Sequence, residues 1–185
     1  MTGSLRPGDE LVVAGWVGLD GSAVLARERA DYLKSFLPEG MILRAVHFFE
    51  SESAGSEEEL AKEADVSAVT DMCDGGIFGA LWDMGAASGV GFEADLDKIP
   101  IRQETIEICE IFDINPYMLR SCGSMLIGSS CGSRLVSRLE EAGIHAVVIG
   151  YVNGGADRVV RNKDARRFLE PRHPDELFRA LEVTL

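Results

Sequence analysis

The sequence predicts an α/β (α+β) fold, a mixed β-sheet packed with helices, on three observations. Short apolar runs bounded by turn residues alternate with segments in which apolar residues recur every three or four positions. Glycine and proline turns separate nearly all of these segments. The final third closes with two short strand-like runs around Asn162-Lys163-Asp164, which read as a hairpin. With 185 residues, 46% hydrophobic and 26% charged, the chain suits a single domain spanning residues 1–185.

Pro7-Gly8-Asp9 forms a turn before a strand over residues 10–15, whose run Leu11-Val12-Val13-Ala14 is wholly apolar. Gly15, Gly18 and Gly21 punctuate the loop after it. Their spacing is not the G-x-G-x-x-G of a dinucleotide site. Ala23, Val24, Ala26, Ala30, Leu33 and Phe36 then give a helical stripe, which Pro38-Glu39-Gly40 breaks. Met41, Ile42, Ala45 and Val46 supply a second apolar face. Residues 51–59 are acidic and serine-rich, the most linker-like stretch, and a short helix is expected over 57–64. A strand over 66–69, a turn over 71–76, a helix over 77–88 and a strand over 90–96 follow.

A helix over 102–112 buries Cys109 among Ile108 and Phe112, and Asn115-Pro116 starts a single helical turn. Residues 121–124 lead into a strand over 125–128. Ser133 is the expected N-cap of a helix over 134–142 that stops at Gly143. Strands over 146–152, 157–161 and 166–169 precede a terminal helix over 174–183.

Thirty-one acidic residues against 18 basic give a net charge of −13. That excludes nucleic acid as a partner, because phosphate backbones are bound by clustered Lys and Arg. It also disfavours an anionic membrane surface, and no apolar run approaches the roughly 18 residues that span a bilayer. The N-terminus lacks the charged-then-apolar pattern of a signal peptide, so a cytoplasmic protein is expected. Cys73, Cys109, Cys122 and Cys131 form no CxxC pair, and four reduced thiols are the expectation. The three histidines have no Cys or carboxylate at metal-ligand spacing.

The candidate site is the turn Asp71-Met72-Cys73-Asp74-Gly75-Gly76. Glycines at a strand-to-helix junction let the backbone approach a ligand. They also leave the first N–H groups of the helix pointing outward at its positive end, an arrangement that suits phosphate. A βα turn capped by carboxylates reads equally well from the residues alone.

The succession of Arg6-Pro7-Gly8-Asp9 with LVVAGWVGLDG, TDMCDGGIFGALWDMGAASGVGFEADLDKIP, SCGSMLIG and LEEAGIHAVVIGYV resembles the C-terminal domain of the AIR synthase (PurM) superfamily. The resemblance covers a core of residues 5–169. It is nearest to the hydrogenase-maturation branch called HypE and to AIR synthase-related proteins.

The resemblance implies a cleft between two domains that holds phosphate or Mg²⁺–ATP. Asp71, Cys73, Asp74, Gly75 and Gly76 would line one wall, with Asp71 as the metal-facing carboxylate. Ser121, Gly123 and Ser124, beside Cys122, would form a second wall.

Two residues depart from the family pattern. Cys73 stands where threonine is usual, and Asp74 stands where HypE carries arginine. The N-terminal ATP-binding domain is expected to be absent, as is a HypE-type terminal cysteine. ATP and Mg²⁺ would therefore come through a separately encoded ATP-binding partner domain, with a phosphate-bearing small molecule as ligand. Self-association, as a dimer, is the alternative, and an apolar docking surface near Leu11–Trp16 is expected. A HypE-like enzyme working with the second domain in trans, and a non-catalytic interaction protein, are the other two readings.

Overall fold

The computed structural model describes residues 1–51, 57–60, 62 and 65–182. The expected acidic linker, and the end of the short helix after Leu60, fall largely outside the described residues. One eight-stranded sheet organises the rest, in the order β1-β3-β5-β2-β6-β4-β7-β8. The strands are β1 (Thr2–Gly3), β2 (Glu10–Ala14), β3 (Val66–Met72), β4 (Gly91–Asp95), β5 (Ser121–Ser129), β6 (Ala146–Asn153), β7 (Arg158–Asn162) and β8 (Ala165–Phe168). All neighbours are antiparallel except β4 and β7, so the sheet is mixed, as the sequence predicts. β7 and β8 pair antiparallel as the expected closing hairpin.

β2 sits at the middle, hydrogen-bonded to β5 and β6. Successive side chains of a strand point to opposite faces. Leu11 and Val13 accordingly enter a cluster with Leu81 and Met84 of helix α5 (Gly76–Ser88). Val12 and Ala14 enter another with Leu135 and Leu139 of α7 (Gly132–Glu141). The four β2 residues from Leu11 to Ala14 are between 0% and 1% exposed. Leu11–Ala14 therefore offer no apolar docking surface among the described residues, because helices cover both faces of β2 and strands pair with both its edges, while Gly15 and Trp16 are half-buried. An apolar run in a strand marks burial on two faces as well as it marks an interface.

α5 is apolar nearly all round, as a helix laid into a core must be. A separate helical layer joins α1 (Leu19–Glu28), α3 (Glu39–Ser51), α6 (Gln103–Ile111) and α8 (Glu176–Glu182) around Leu25, Ile108, Leu119 and Leu177. Cys109 is buried in this layer, which pushes its thiol up to about 12. The short helices α2 (Ala30–Leu33) and α4 (Glu57–Leu60) complete the named helices.

Two boundaries differ from expectation. The N-cap of α7 is Cys131 rather than Ser133, and Gly132 donates its N–H to Glu10 Oε2 at 2.7 Å. Cross-strand capping by a β2 carboxylate replaces the local serine cap. β5 also begins four residues early, at Ser121, because Met72 pairs with Ser121 before the register jumps to Asp71 opposite Met125. Cys122, Gly123 and Ser124 are thus extra residues on one strand only, a bulge against the end of β3.

Candidate functional site

The turn after β3 and the bulge that opens β5 lie side by side. Asp71 and Asp74 are exposed, Cys73 is half-buried, and Gly75 and Gly76 are buried. The Asp71 carboxylate accepts the Cys73 N–H at 2.9 Å. Gly75 is the N-cap of α5 and supplies no side chain to cap it.

The helix start is less open than the sequence implies. Gly75 donates its N–H to Oδ2 of Asp175 at 3.0 Å, and Asp175 is only 4% exposed. Its other oxygen accepts the Leu177 N–H at 2.9 Å, so one buried carboxylate caps α5 and the start of α8 together. The Pro174-Asp175-Glu176-Leu177 run signals the local cap. No pattern in the chain signals the link across 100 residues.

Gly76 has a φ of 59° and packs against the 116–119 turn. A Cβ there would sit 2.6 Å from the Leu119 carbonyl oxygen and 2.7 Å from that of Tyr117. Both the left-handed backbone and the contact require glycine. The first N–H is therefore occupied from within the chain, and one flank of the helix start is closed by backbone.

Asp74 is also engaged. Arg172 bridges it to Asp83, the second contact at 2.8 Å. Arg172 thus acts as a strap from the C-terminal segment onto the start of α5. Beside this strap lies a cavity of about 300 Å³ bordered by Gly75, Phe78, Gly79, Asn115, Arg167 and Arg172. Phe78 stacks on Tyr117 with centroids 5.2 Å apart, and the Arg167 guanidinium lies 5.8 Å from the Phe78 ring. Of the eight residues the sequence nominates, Gly75 borders this cavity.

The nominated serines are tied to backbone. Ser121 Oγ accepts the Gly18 N–H at 2.7 Å and donates to the Leu119 carbonyl at 3.0 Å. Ser124 Oγ accepts from Trp16 N–H at 3.1 Å and donates to the Trp16 carbonyl at 2.9 Å. Both are buried, and both fasten β5 to the loop between β2 and α1. Gly123, with φ 88°, turns the bulge between them.

One expectation is overturned outright. Cys73 and Cys122 are joined as a disulfide across the two walls, with Cα atoms 4.3 Å apart and a separation of 49 positions in sequence. Cys109 and Cys131 remain thiols. Spacing conceals the pair because only the β5 bulge carries Cys122 to Cys73. Spacing also conceals Arg120. Its guanidinium pairs with the Asp20 carboxylate and donates from Nη2 to Cys122 Sγ at 3.1 Å. Among the described residues no three His, Cys, Asp or Glu side chains group as a metal site, and no helix is long and apolar enough to cross a membrane.

Residues 6–162 match the model of the AIR synthase related protein, C-terminal domain. A hydrogenase expression/formation protein of Methanocaldococcus jannaschii, whose name is itself provisional, is 28% identical over 153 residues, 80% of this chain and 43% of the relative. The carbamoyl dehydratase HypE of Rhodobacter capsulatus is 26% identical over 152 residues, 80% of this chain and 42% of the relative. A crystal structure of the hydrogenase maturation protein HypE in complex with ATP superposes with a TM-score of 0.69 at 17% identity. That match takes in 94% of this chain and 53% of the other, and it shows a shared fold. The chain spans less than half the length of these two curated relatives.

Proposed function

The chain belongs to the family of AIR synthase related C-terminal domains, and from that premise we propose that it forms one wall of a phosphate or nucleotide cleft completed by an ATP-binding partner half. The observation that carries this reading is the end of β3. There the sheet delivers an exposed carboxylate, Asp71, next to the glycine start of a buried helix.

Carboxylate oxygen is the ligand type that Mg²⁺ selects, usually together with phosphate oxygens and water. Asp71 fits such an ion as a single ligand. The remaining ligands would come from the nucleotide, water and the partner half. Bound Mg²⁺–ATP would supply an activated phosphoryl group. The part of this chain is to present Asp71 to that ion from the end of β3, with the turn from Cys73 to Gly76, closed by Asp175, Arg172 and the 116–119 turn, holding the carboxylate in place. Ser121, Gly123 and Ser124 would hold the second wall in register through the loop they fasten. The name of the Methanocaldococcus jannaschii relative, together with the shared HypE fold, favours hydrogenase maturation as the setting, with this chain as the C-terminal half of a HypE-like enzyme.

Calorimetry with Mg²⁺–ATP tests the reading, on the chain alone and mixed with a separately produced ATP-binding half of a HypE-type relative. Binding and hydrolysis should emerge only in the mixture, and Asp71→Ala should weaken nucleotide binding there about tenfold, a loss of about 1.4 kcal/mol. Hydrolysis by the chain alone, lost in Asp71→Ala, would overturn the need for a partner. An unaltered affinity in the Asp71→Ala mixture would remove Asp71 from the site.

A further inference from the structure

We propose that Cys73 and Cys122 form a thiol–disulfide exchange site for small-molecule thiols and disulfides, with Cys73 as the sulfur attacked and Cys122 as the leaving thiolate. The inference stands on the pair's surroundings and is independent of the nucleotide reading. Both cysteines are half-buried rather than enclosed, which leaves the bond within reach of an incoming small thiol. Cys131 is also half-buried but stands apart as a free thiol, and Cys109 is buried.

The two sulfurs differ in charge environment. Cys122 Sγ receives a hydrogen bond from the Arg120 guanidinium. Cationic donors favour the thiolate. Asp20 also holds that guanidinium, which fixes it in place while offsetting part of its charge. Among the described residues Cys73 Sγ receives no such donor, and the exposed Asp71 carboxylate two positions before it opposes a negative sulfur, while the Asp74 carboxylate after it is paired with Arg172.

In thiol–disulfide exchange the thiol of lower pKa leaves faster. An incoming thiolate therefore bonds to Cys73 Sγ, and the S–S electron pair departs with Cys122 Sγ as a thiolate beside Arg120. A second thiol of the reductant then attacks the mixed disulfide and releases Cys73, which takes up a proton. The net change is one protein disulfide reduced to two thiols and two reductant thiols oxidised to one disulfide. Re-oxidation runs in reverse, with Cys122 as the attacking thiolate. Opening the bond uncouples the Cys73 turn from the β5 bulge, and closing it fixes one against the other. A disulfide of this kind in a reducing compartment is catalytic or redox-sensing rather than a permanent staple.

The test uses the full chain and glutathione. After equilibration with oxidised glutathione, denaturation and alkylation should modify Cys109 and Cys131 alone, with one cross-link joining the 73 and 122 peptides. Reduced glutathione should open it reversibly to four alkylatable thiols. Four modified cysteines after the oxidised incubation, or a cross-link through Cys109 or Cys131, would overturn the site.

Direction is tested by acid-quenching the exchange early. The mixed disulfide should sit on Cys73, and finding it on Cys122 would reverse the assignment. In Arg120→Ala the fraction reduced in a fixed glutathione buffer should fall at least threefold, because the thiolate loses its donor. No change would remove Arg120 from the chemistry. Native-state alkylation of the reduced wild type gives a check that needs no variant: Cys122 should react before Cys73. Equal rates, or Cys73 first, would overturn the charge argument.

Discussion

Two glycine-rich loops join a strand to a helix at the same end of this sheet, and they have opposite characters. The loop after β2, from Gly15 to Gly18, is knotted into its neighbours together with the first turn of α1. Its N–H groups reach the His145 carbonyl from Gly15, Ser124 Oγ from Trp16, the Pro100 carbonyl from Val17, Ser121 Oγ from Gly18 and the Arg120 carbonyl from Gly21. Trp16 is stacked between the Arg102 guanidinium at 4.1 Å and the His145 ring at 4.3 Å. The loop after β3 is shorter. It closes its backbone with Asp175 and presents Asp71 and Asp74 to solvent. In the first loop glycine serves packing. In the second it lets a helix start under exposed carboxylates. A glycine cluster in sequence therefore announces close approach of backbone without saying whether a ligand or the protein itself approaches.

The sharpest way to break the contrast is Gly76→Ala. The new Cβ meets two carbonyl oxygens of the 116–119 turn on a left-handed backbone. Strain of about 1–2 kcal/mol and overpacking of about 1–3 kcal/mol should combine to a loss of about 3 kcal/mol, read as a lower urea midpoint. A variant as stable as the parent would mean that the helix start is looser than its packing implies. Ser121→Ala comes next. It removes the hydroxyl that holds the buried Gly18 N–H, leaving a buried donor unpaired at a cost of about 1–3 kcal/mol. Thermal unfolding should record that loss although the substituted residue is one of those nominated for ligand contact. An unchanged midpoint would return Ser121 to the ligand wall.

The fold was largely legible. Period-two and period-three-to-four patterns located the long elements, and the mixed sheet followed from them. What stayed hidden was long-range. β5 was seen only from Met125 because its first four residues, Ser-Cys-Gly-Ser, carry weak strand propensity and are held by β3 and by the β2–α1 loop. The docking surface expected near Leu11–Trp16 came from the family resemblance, and the apolar run of β2 could not correct it because a fully buried central strand and a docking strand share one composition. At the site, Asp71 and the glycine helix start were visible as types. The Asp175 cap, the Arg172 strap and the Cys73–Cys122 pair each join residues some 50 to 100 positions apart, where no periodicity reaches.

The smallest effect expected is the one that separates function from architecture. Asp71 is exposed, and its carboxylate accepts the N–H of Cys73 two residues on. Water can replace an exposed acceptor, and surface substitutions away from special features change stability by no more than about 0.5 kcal/mol. Asp71→Ala should accordingly unfold within about 0.5 kcal/mol of the parent while losing about tenfold in nucleotide affinity in the two-half mixture. Ser121→Ala should show the reverse, a large stability change with nucleotide affinity altered only as far as the fold loosens. If Asp71→Ala proved as destabilising as Ser121→Ala, the turn after β3 would be architecture like the loop after β2, and the carboxylate would be a cap rather than a ligand. Measuring both variants by both readouts makes the difference between the two loops a difference of sign, which a common loss of folding cannot imitate.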